Sequence, residues 1–261
     1  MKHYLRLFFL DKIFDQKPMK TYQTEYGTLK IGSTNDIFNA KTEAIQRVVS
    51  KTTGICSIGL TGGSTPKAYY QIMAQEKSFS DQVLAKIFWS ASDERYVPTD
   101  HPDNNFGVAY RTMLQPLSVS DDQCLPWPTE KEPLEAVKNY QSLLEKKTSK
   151  SFYDLCILGM GDDCHTLSLF PQSPLLASES TETFAAVEVP EKGWRLTLTP
   201  FGLKKCPQIL QIVTGRGKAV ALAKVFHGEY DPFRIPSQIQ KNQPHQVTWL
   251  IDNEAATDLR L

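Results

Sequence analysis

The sequence lacks an excess of charge of either sign. Lysine plus arginine and aspartate plus glutamate each number 29 in 261 residues, so the formal net charge is zero. A chain with this balance has no global field that would draw it to nucleic acid or to an anionic membrane, and we expect neither as a partner. Any cations that hold an anionic ligand must therefore be placed locally.

Long apolar runs are also missing. The apolar stretch at residues 4–10 is interrupted by Arg6 and followed by Asp11 and Lys12, so it is too short and too charged for a signal peptide or a membrane span. We interpret residues 1–18 as an atypical N-terminal extension. No linker, repeat or low-complexity tract divides residues 19–261, which we expect to form a single domain.

The sequence contains few cysteines, and their spacing does not suggest disulfide pairs. The five cysteines are odd in number and contain no Cys-x-x-Cys. Cys56 and Cys156 lie in apolar stretches typical of buried thiols, which favours a reducing cytoplasm. No cluster of histidine and cysteine has the spacing of metal ligands, so we expect no metal.

Apolar strands and amphipathic helices alternate along the chain. Helices are expected at 36–51, 66–75, 104–114, 133–146 and 219–226, and strands at 55–60, 86–91, 153–158 and near residues 195, 209 and 246. Residues 117–133 are expected to be a connecting loop. The helix at 133–146 should turn Leu134, Val137, Leu143 and Leu144 inward. This alternation predicts an α/β, Rossmann-like three-layer domain with a mainly parallel sheet flanked by helices.

A glycine-rich turn follows the first buried strand. Gly62 and Gly63 let the backbone approach an anion, Ser64 and Thr65 offer hydroxyls, and Pro66 suits a first helical position. Neither the dinucleotide fingerprint nor the nucleotide loop ending in Gly-Lys-Ser/Thr is present. The turn thus favours a phosphorylated small molecule, although a plain strand-to-helix turn would use the same residues.

Acidic and basic residues crowd the end of the next strand, at Asp93, Glu94 and Arg95. Such crowding is typical of functional sites, but a solvated, salt-bridged loop looks the same in sequence. Either Asp103 or Asn105 could cap the helix that follows.

His165 follows the strand at 153–158 in the run Gly159-Met160-Gly161-Asp162-Asp163-Cys164-His165. Open α/β sheets bind ligands at the carboxyl ends of their strands, and histidine exchanges protons near neutral pH. A loop histidine that only packs is the competing interpretation.

Two cations lie near later strands. Arg195 opens an alternating strand, and Lys218 begins a helix. A cation at a helix start opposes the helix dipole, which is a weak indication that Lys218 serves a ligand.

Together these segments resemble the 6-phosphogluconolactonase family within the glucosamine/galactosamine-6-phosphate isomerase superfamily. The matching segments, in order, are 61–66, 93–98, 100–105, 159–171, 195–199 and 217–219, with a similar C-terminal run at 249–256. The resemblance covers the chain from about residue 30 onward.

The resemblance implies hydrolysis of 6-phospho-D-glucono-1,5-lactone to 6-phosphogluconate, in the oxidative pentose phosphate pathway, by a monomer or weak homodimer. His165 would act as general base and Asp163 would orient it, while backbone amides at 161–165 would bind the oxyanion. Arg95 would either bind the substrate or form a structural ion pair with Asp93. The phosphate would be held by Gly62, Gly63, Ser64, Thr65, Arg195 and Lys218. The reaction needs no cofactor. The sequence contains no Gly-x-Ser-x-Gly motif, which argues against a mechanism through a covalent serine intermediate.

The chain departs from the family pattern at two places. Cys164 stands where the family usually has glycine, and we expect the loop to accommodate it by a shift to φ < 0. Asp103-Asn104-Asn105 replaces Asp-Ser-Asn, which is a milder change.

Two alternatives remain. In the related glucosamine-6-phosphate isomerase/deaminase group, a carboxylate lies five residues after the histidine, where this chain has Phe170. A non-catalytic sugar-phosphate-binding protein on the same fold would have no need of Asp93, Asp163 and His165.

Overall fold

The computed structural model describes residues 18–261, so most of the extension expected at 1–18 lies outside the described residues. An eight-stranded sheet runs through the centre in the order β1-β2-β11-β10-β7-β3-β4-β6. Its strands are β1 (Lys20–Thr24), β2 (Gly27–Gly32), β3 (Cys56–Leu60), β4 (Ile87–Ala91), β6 (Cys124–Leu125), β7 (Leu155–Leu158), β10 (Gln208–Val213) and β11 (Val247–Asp252). Only β1 pairs antiparallel with its neighbour. With the helices that flank the sheet, the fold is the predicted three-layer α/β arrangement.

The central strands are buried throughout because both faces of the sheet are covered. Every residue of β3, β4 and β7 is buried, including Cys56 and Cys156 as predicted. Continuous apolar runs of this kind are what a parallel sheet between helical layers requires.

A second, three-stranded antiparallel sheet lies beside the first. It consists of β5 (Asp93–Arg95), β8 (Phe184–Val189) and β9 (Gly193–Leu198), in the order β5-β9-β8. The strand around Arg195 therefore belongs to this sheet, and its assignment to the main sheet was wrong. The alternation at 195–199 indicated a strand but carried no information about its partner.

The helices are α1 (Thr34–Lys51), α2 (Ser64–Glu76), α3 (Asp81–Leu84), α4 (Asn105–Ala109), α5 (Pro133–Thr148), α6 (Pro174–Ala177), α7 (Pro200–Lys205) and α8 (Ala219–His227). A π-helical turn, Tyr110–Leu114, continues α4. Within the described residues, no helix is both long and apolar enough to span a bilayer.

Three local predictions were wrong. Helix α2 begins at Ser64, so Pro66 is its third residue and not its first. Asn104 caps α4, with its side-chain oxygen accepting from the amide of Gly107 at 2.7 Å, in place of Asp103 or Asn105. The expected loop at 117–133 contains β6, a two-residue edge strand too short to show any period.

The inward face of α5 also differs from the prediction. Val137 and Leu144 are buried as expected, but Leu134 is 68% exposed and Leu143 reaches 36% exposure. Ala136 and Tyr140 fill the core in their place, and Tyr140 stacks on Trp127 with ring centroids 3.7 Å apart. The small and aromatic side chains at these two positions gave a weaker apolar signal than the leucines.

This assignment predicts opposite outcomes for two adjacent leucines. Leu144→Ala should lower the free energy of unfolding by about 2–5 kcal/mol, because it opens a cavity at a fully buried position. Leu143→Ala, the matched control, should cost less than about 1 kcal/mol. Urea unfolding followed by circular dichroism measures both; equal losses would contradict the assignment.

Candidate active site

One cavity of about 330 Å³ lies at the carboxyl ends of β3, β4, β7 and β10. Of the predicted site residues, all except Asp163 line it, and Asp163 contacts one that does. The predicted residues in its wall are Gly62, Gly63, Ser64, Thr65, Asp93, Arg95, His165, Arg195 and Lys218. A crevice at the strand ends is where open α/β sheets bind their ligands.

The glycine-rich turn opens directly into α2. No side chain caps the helix, and its first turn contains no acidic residue, so the amides of Ser64 and Thr65 have no side-chain acceptor among the described residues. The Thr65 hydroxyl lies 2.7 Å from that of Thr214, at the end of β10. Free amides and a partial positive charge at a helix start attract phosphate.

Gly62 has no room for a side chain, because the side chain of Asn105 lies against its backbone. A Cβ atom on Gly62 would collide with Oδ1 of Asn105, the first residue of α4. Nδ2 of Asn105 donates to the carbonyl of Asp93 at 2.9 Å, which fixes the side chain in that place. The glycine turn, α4 and the start of β5 are thereby held in one arrangement.

Lys218 ends the 3₁₀ turn after β10 and precedes α8. Its Nζ lies 2.6 Å from Oδ1 of Asp162, whose side chain is 80% exposed. Such exposed pairs stabilise by at most about 1 kcal/mol, so a phosphate can compete for the ammonium. Asp252 holds the turn by accepting from the amides of Gly215 and Ala255.

His165 lines the same cavity, with Asp163 beside it. Oδ1 of Asp163 is 2.5 Å from Nδ1 of His165 and also accepts from the His165 amide at 3.1 Å. Burial raises the pKa of Asp163, but the hydrogen bond and the charge of His165 lower it by more, so that the net pKa is about 2. Asp163 is thus ionised near neutral pH and orients the imidazole so that Nε2 is the nitrogen left for a reactant.

The loop that leads from β7 to His165 is held by hydrogen bonds between its own residues. The amide of Gly161 donates to the His165 carbonyl, that of Cys164 donates to Gly161, and that of His165 donates to Asp163. These three amides are engaged within the loop, so the expected binding of an oxyanion by amides at 161–165 is left to those of Asp162 and Asp163 and stays a prediction. A Cβ on Gly161 would collide with Nδ1 of His165, which explains the glycine.

Cys164 occupies the left-handed region, with φ of 65°. The expected shift to φ < 0 was therefore wrong. The cysteine is held there from three sides, since its carbonyl accepts from the amide and hydroxyl of Ser237 and its Sγ lies 3.4 Å from the carbonyl oxygen of Ala221. The loop keeps a glycine-like backbone at the cost of about 1 kcal/mol or more of strain.

Asp93 and Glu94 are buried and lie on β5, which rules out the solvated loop. Oδ2 of Asp93 accepts from the Ser168 hydroxyl at 2.7 Å. Burial raises the pKa of Asp93, and Ser168 and the nearby cations act against that shift. Glu94 instead accepts from the backbone amides of Arg95, Asn105 and Phe106, so it holds the start of α4.

Arg95 and Arg195 are directly opposite each other on β5 and β9. Like charges at such a position are unfavourable without an anion between them. Burial, and then the charge of Arg95, lower the pKa of Arg195. Nη1 of Arg95 donates to the carbonyl of Asp103. Among the described residues Arg95 forms no ion pair with Asp93, so the interpretation of Arg95 as a structural ion-pair partner of Asp93 was wrong.

Sequence reasoning missed Lys192 in the cavity wall and named Phe170 without placing it there. Lys192, between β8 and β9, lines the cavity, and its Nζ lies 5.5 Å from the centroid of the Phe170 ring. That ring stacks on His165, with centroids 4.3 Å apart. An isolated lysine in a hairpin gave no signal, whereas Phe170 was visible as a departure from the deaminase pattern.

The fold and cavity define an α/β protein with a cation-lined cavity and a carboxylate-oriented histidine at the ends of its parallel strands. Residues 33–249 match the model of the family described as glucosamine-6-phosphate isomerases/6-phosphogluconolactonase, and the chain belongs to this family. A 6-phosphogluconolactonase from Synechocystis is 32% identical over 78% of this chain and 85% of its own length. One from Homo sapiens is 30% identical over 77% and 79%.

Solved structures share the fold. A 6-phosphogluconolactonase from Trypanosoma cruzi superposes with a TM-score of 0.74 at 22% identity, over 95% of this chain and 100% of that one. A monomeric glucosamine-6-phosphate deaminase superposes with a TM-score of 0.73 at 18% identity, over 88% and 99%. The fold alone therefore does not separate the two activities.

The backbone at Cys164 leads to a prediction. Cys164→Gly should change turnover by less than about tenfold, because the loop already has the conformation that glycine favours. Cys164→Val should lose far more, since β-branched residues adopt positive φ at high cost. Steady-state assays with a thermal-melt control measure both. A gain well above tenfold in the glycine variant would mean that the cysteine displaces His165.

Proposed function

We propose that this protein hydrolyses 6-phospho-D-glucono-1,5-lactone to 6-phosphogluconate in the oxidative pentose phosphate pathway. The observation that carries the proposal is the apolar ring of Phe170 stacked on His165, at the position where the deaminase group has a carboxylate. The more than 30% identical relatives named 6-phosphogluconolactonase support the same activity.

His165 acts as general base. Its Nε2 takes a proton from water, the oxygen attacks C1 of the lactone, and the imidazolium returns the proton to the departing ring oxygen. Asp163 holds the ring through Nδ1 and stabilises the imidazolium. Arg95 and Lys192, which also line the cavity, would stabilise the negative charge that develops at the carbonyl oxygen.

The phosphate is held at the glycine-rich turn. The amides of Ser64 and Thr65, the glycines before them, Lys218 and Arg195 all line the cavity and are the groups proposed to bind it. Asp93, whose Oδ2 accepts from the Ser168 hydroxyl and which lines the cavity, would contact the substrate hydroxyls.

We further propose that residues 19–261 act as one domain, as a monomer or a weak homodimer in the cytoplasm. All five cysteines are free thiols, and four of them are buried, which supports a reducing compartment.

A direct assay tests the activity. Freshly prepared 6-phosphogluconolactone should be hydrolysed above its spontaneous rate, and glucosamine 6-phosphate should release no ammonia. His165→Ala should lower turnover by roughly two to four orders of magnitude, the usual contribution of a general acid–base group. His245→Ala, at an exposed histidine, is the matched control. Ammonia release by the wild type, or near-normal turnover of the His165 variant, would refute the proposal.

The phosphate assignment predicts a substrate-dependent effect. Lys218→Ala and Arg195→Ala should each raise KM for the phosphorylated lactone, with far less effect on unphosphorylated gluconolactone, because only the former carries the dianion. Arg216→Ala serves as control, since that exposed side chain lies outside the cavity. Equal effects on both lactones would show that these cations do not hold the phosphate.

A further inference from the structure

Lys41 is a buried amine on α1 that the mechanism above does not use. Its side chain is 1% exposed, and within residues 18–261 its Nζ has no hydrogen-bond partner. It lies 3.6 Å from the ring centroid of Tyr69 and 5.1 Å from that of Tyr70. A buried charge without a partner is costly, so an unpaired lysine in a core calls for a physical reason.

Lys41 lies directly behind the glycine-rich turn. Together with Phe38, Tyr69 and Leu158 it lines a second cavity of about 10 Å³. The remaining wall consists of residues that also line the active-site cavity, namely Thr65, Pro66, Gly159 and Ile212. A single layer of residues therefore separates the amine from the place where the phosphate is proposed to bind.

Among residues 18–261, the groups that face Lys41 provide no counter-charge. From α2 it meets Tyr69 and Tyr70, and burial raises the pKa of both phenols. The strand residues beside it, Leu158 and Ile212, and Phe38 on its own helix carry no charge. Asp93 acts on Tyr70 but forms no ion pair with Lys41. Burial accordingly holds the pKa of Lys41 well below its ordinary value.

We propose that Lys41 takes up a proton from solvent when a phosphate dianion binds at Gly62–Thr65, so that phosphate binding is coupled to protonation of this buried amine. The lone pair of Nζ accepts the proton, and the acid form of the buffer supplies it. The inference rests on the phosphate site of the proposed function.

The coupling follows from electrostatics inside the protein. A dianion one layer away favours the ammonium far more than it would in water, because the intervening medium is poorly polarisable. The two aromatic faces stabilise the cation once it forms. Each unit by which bound phosphate raises the pKa of Lys41 corresponds to tenfold tighter binding of the phosphate to the protonated form.

The sign of the pH dependence is fixed by this scheme. Binding takes up a proton at a pH between the lysine pKa of the free protein and that of the complex. Phosphate affinity should fall as pH rises through this window. Other groups also titrate near this pH, since burial raises the pKa of Glu94 to about 8 and the phosphate and an ordinary histidine titrate between about pH 6 and 7. Their uptake is common to the wild type and a Lys41 variant, so the difference between the two proteins reports the proton on Lys41.

Titration calorimetry with 6-phosphogluconate at several pH values from about 7 to about 10, in buffers of different ionisation enthalpy, measures the protons taken up. Within the window the wild type should take up more protons per ligand than Lys41→Met, by a substantial fraction of one. Lys41→Met should bind roughly tenfold more weakly there. Lys51→Met, at an exposed position on the same helix, should behave as the wild type. No uptake by the wild type, or equal uptake by the Lys41 variant, would overturn the inference.

Thermal unfolding shows whether the Lys41→Met variant is folded, so that a loss of binding is not mistaken for a loss of structure. Lys41→Met replaces an unpartnered amine by an apolar chain of similar length, so its Tm should equal or exceed that of the wild type. A folded, more stable variant with unchanged 6-phosphogluconate affinity would show that Lys41 is merely tolerated, and the lactonase proposal would stand. Failure of the wild type to bind 6-phosphogluconate at all would overturn both.

Discussion

The neighbouring positions of β10, β7, β3 and β4 in the parallel sheet are the constraint on which the site depends. Each of these strands ends at the same edge, and each is followed by one part of the cavity. The glycine-rich turn follows β3, Asp93 follows β4, the His165 loop follows β7 and Lys218 follows β10. Segments more than 150 residues apart in the chain thus meet because parallel register leaves their carboxyl ends side by side.

The cavity concentrates charge that the chain as a whole does not carry. Two arginines face each other across β5 and β9, and Lys192 and Lys218 add to them, in a protein of zero net charge. Such an arrangement is unfavourable in the free protein and becomes favourable when an anion enters. The raised pKa of Asp93 and the lowered pKa values of Arg195 and Lys41 have the same main cause, which is burial of the charged form.

Sequence reasoning succeeded where function depends on local pattern. The glycine-rich turn and the His165 loop each lie within one contiguous segment, so their residues could be named, and they meet in the structure. Strand partners could not be read in this way, and the strand of Arg195 was placed in the wrong sheet for that reason. The positive φ of Cys164 is imposed by Ser237 and Ala221, more than 50 residues away, and Lys41 looks in sequence like one of many helical lysines.

The central claim is that one cavity holds the phosphate at the glycine-rich turn and presents the lactone carbon to His165. A crystal structure of the wild-type protein with 6-phosphogluconate tests it most directly. The account predicts that the phosphate accepts from the amides of Ser64 and Thr65 and from Lys218, and that the C1 carboxylate lies against Nε2 of His165. A ligand bound in the reverse orientation, with its phosphate beside His165, would contradict the account.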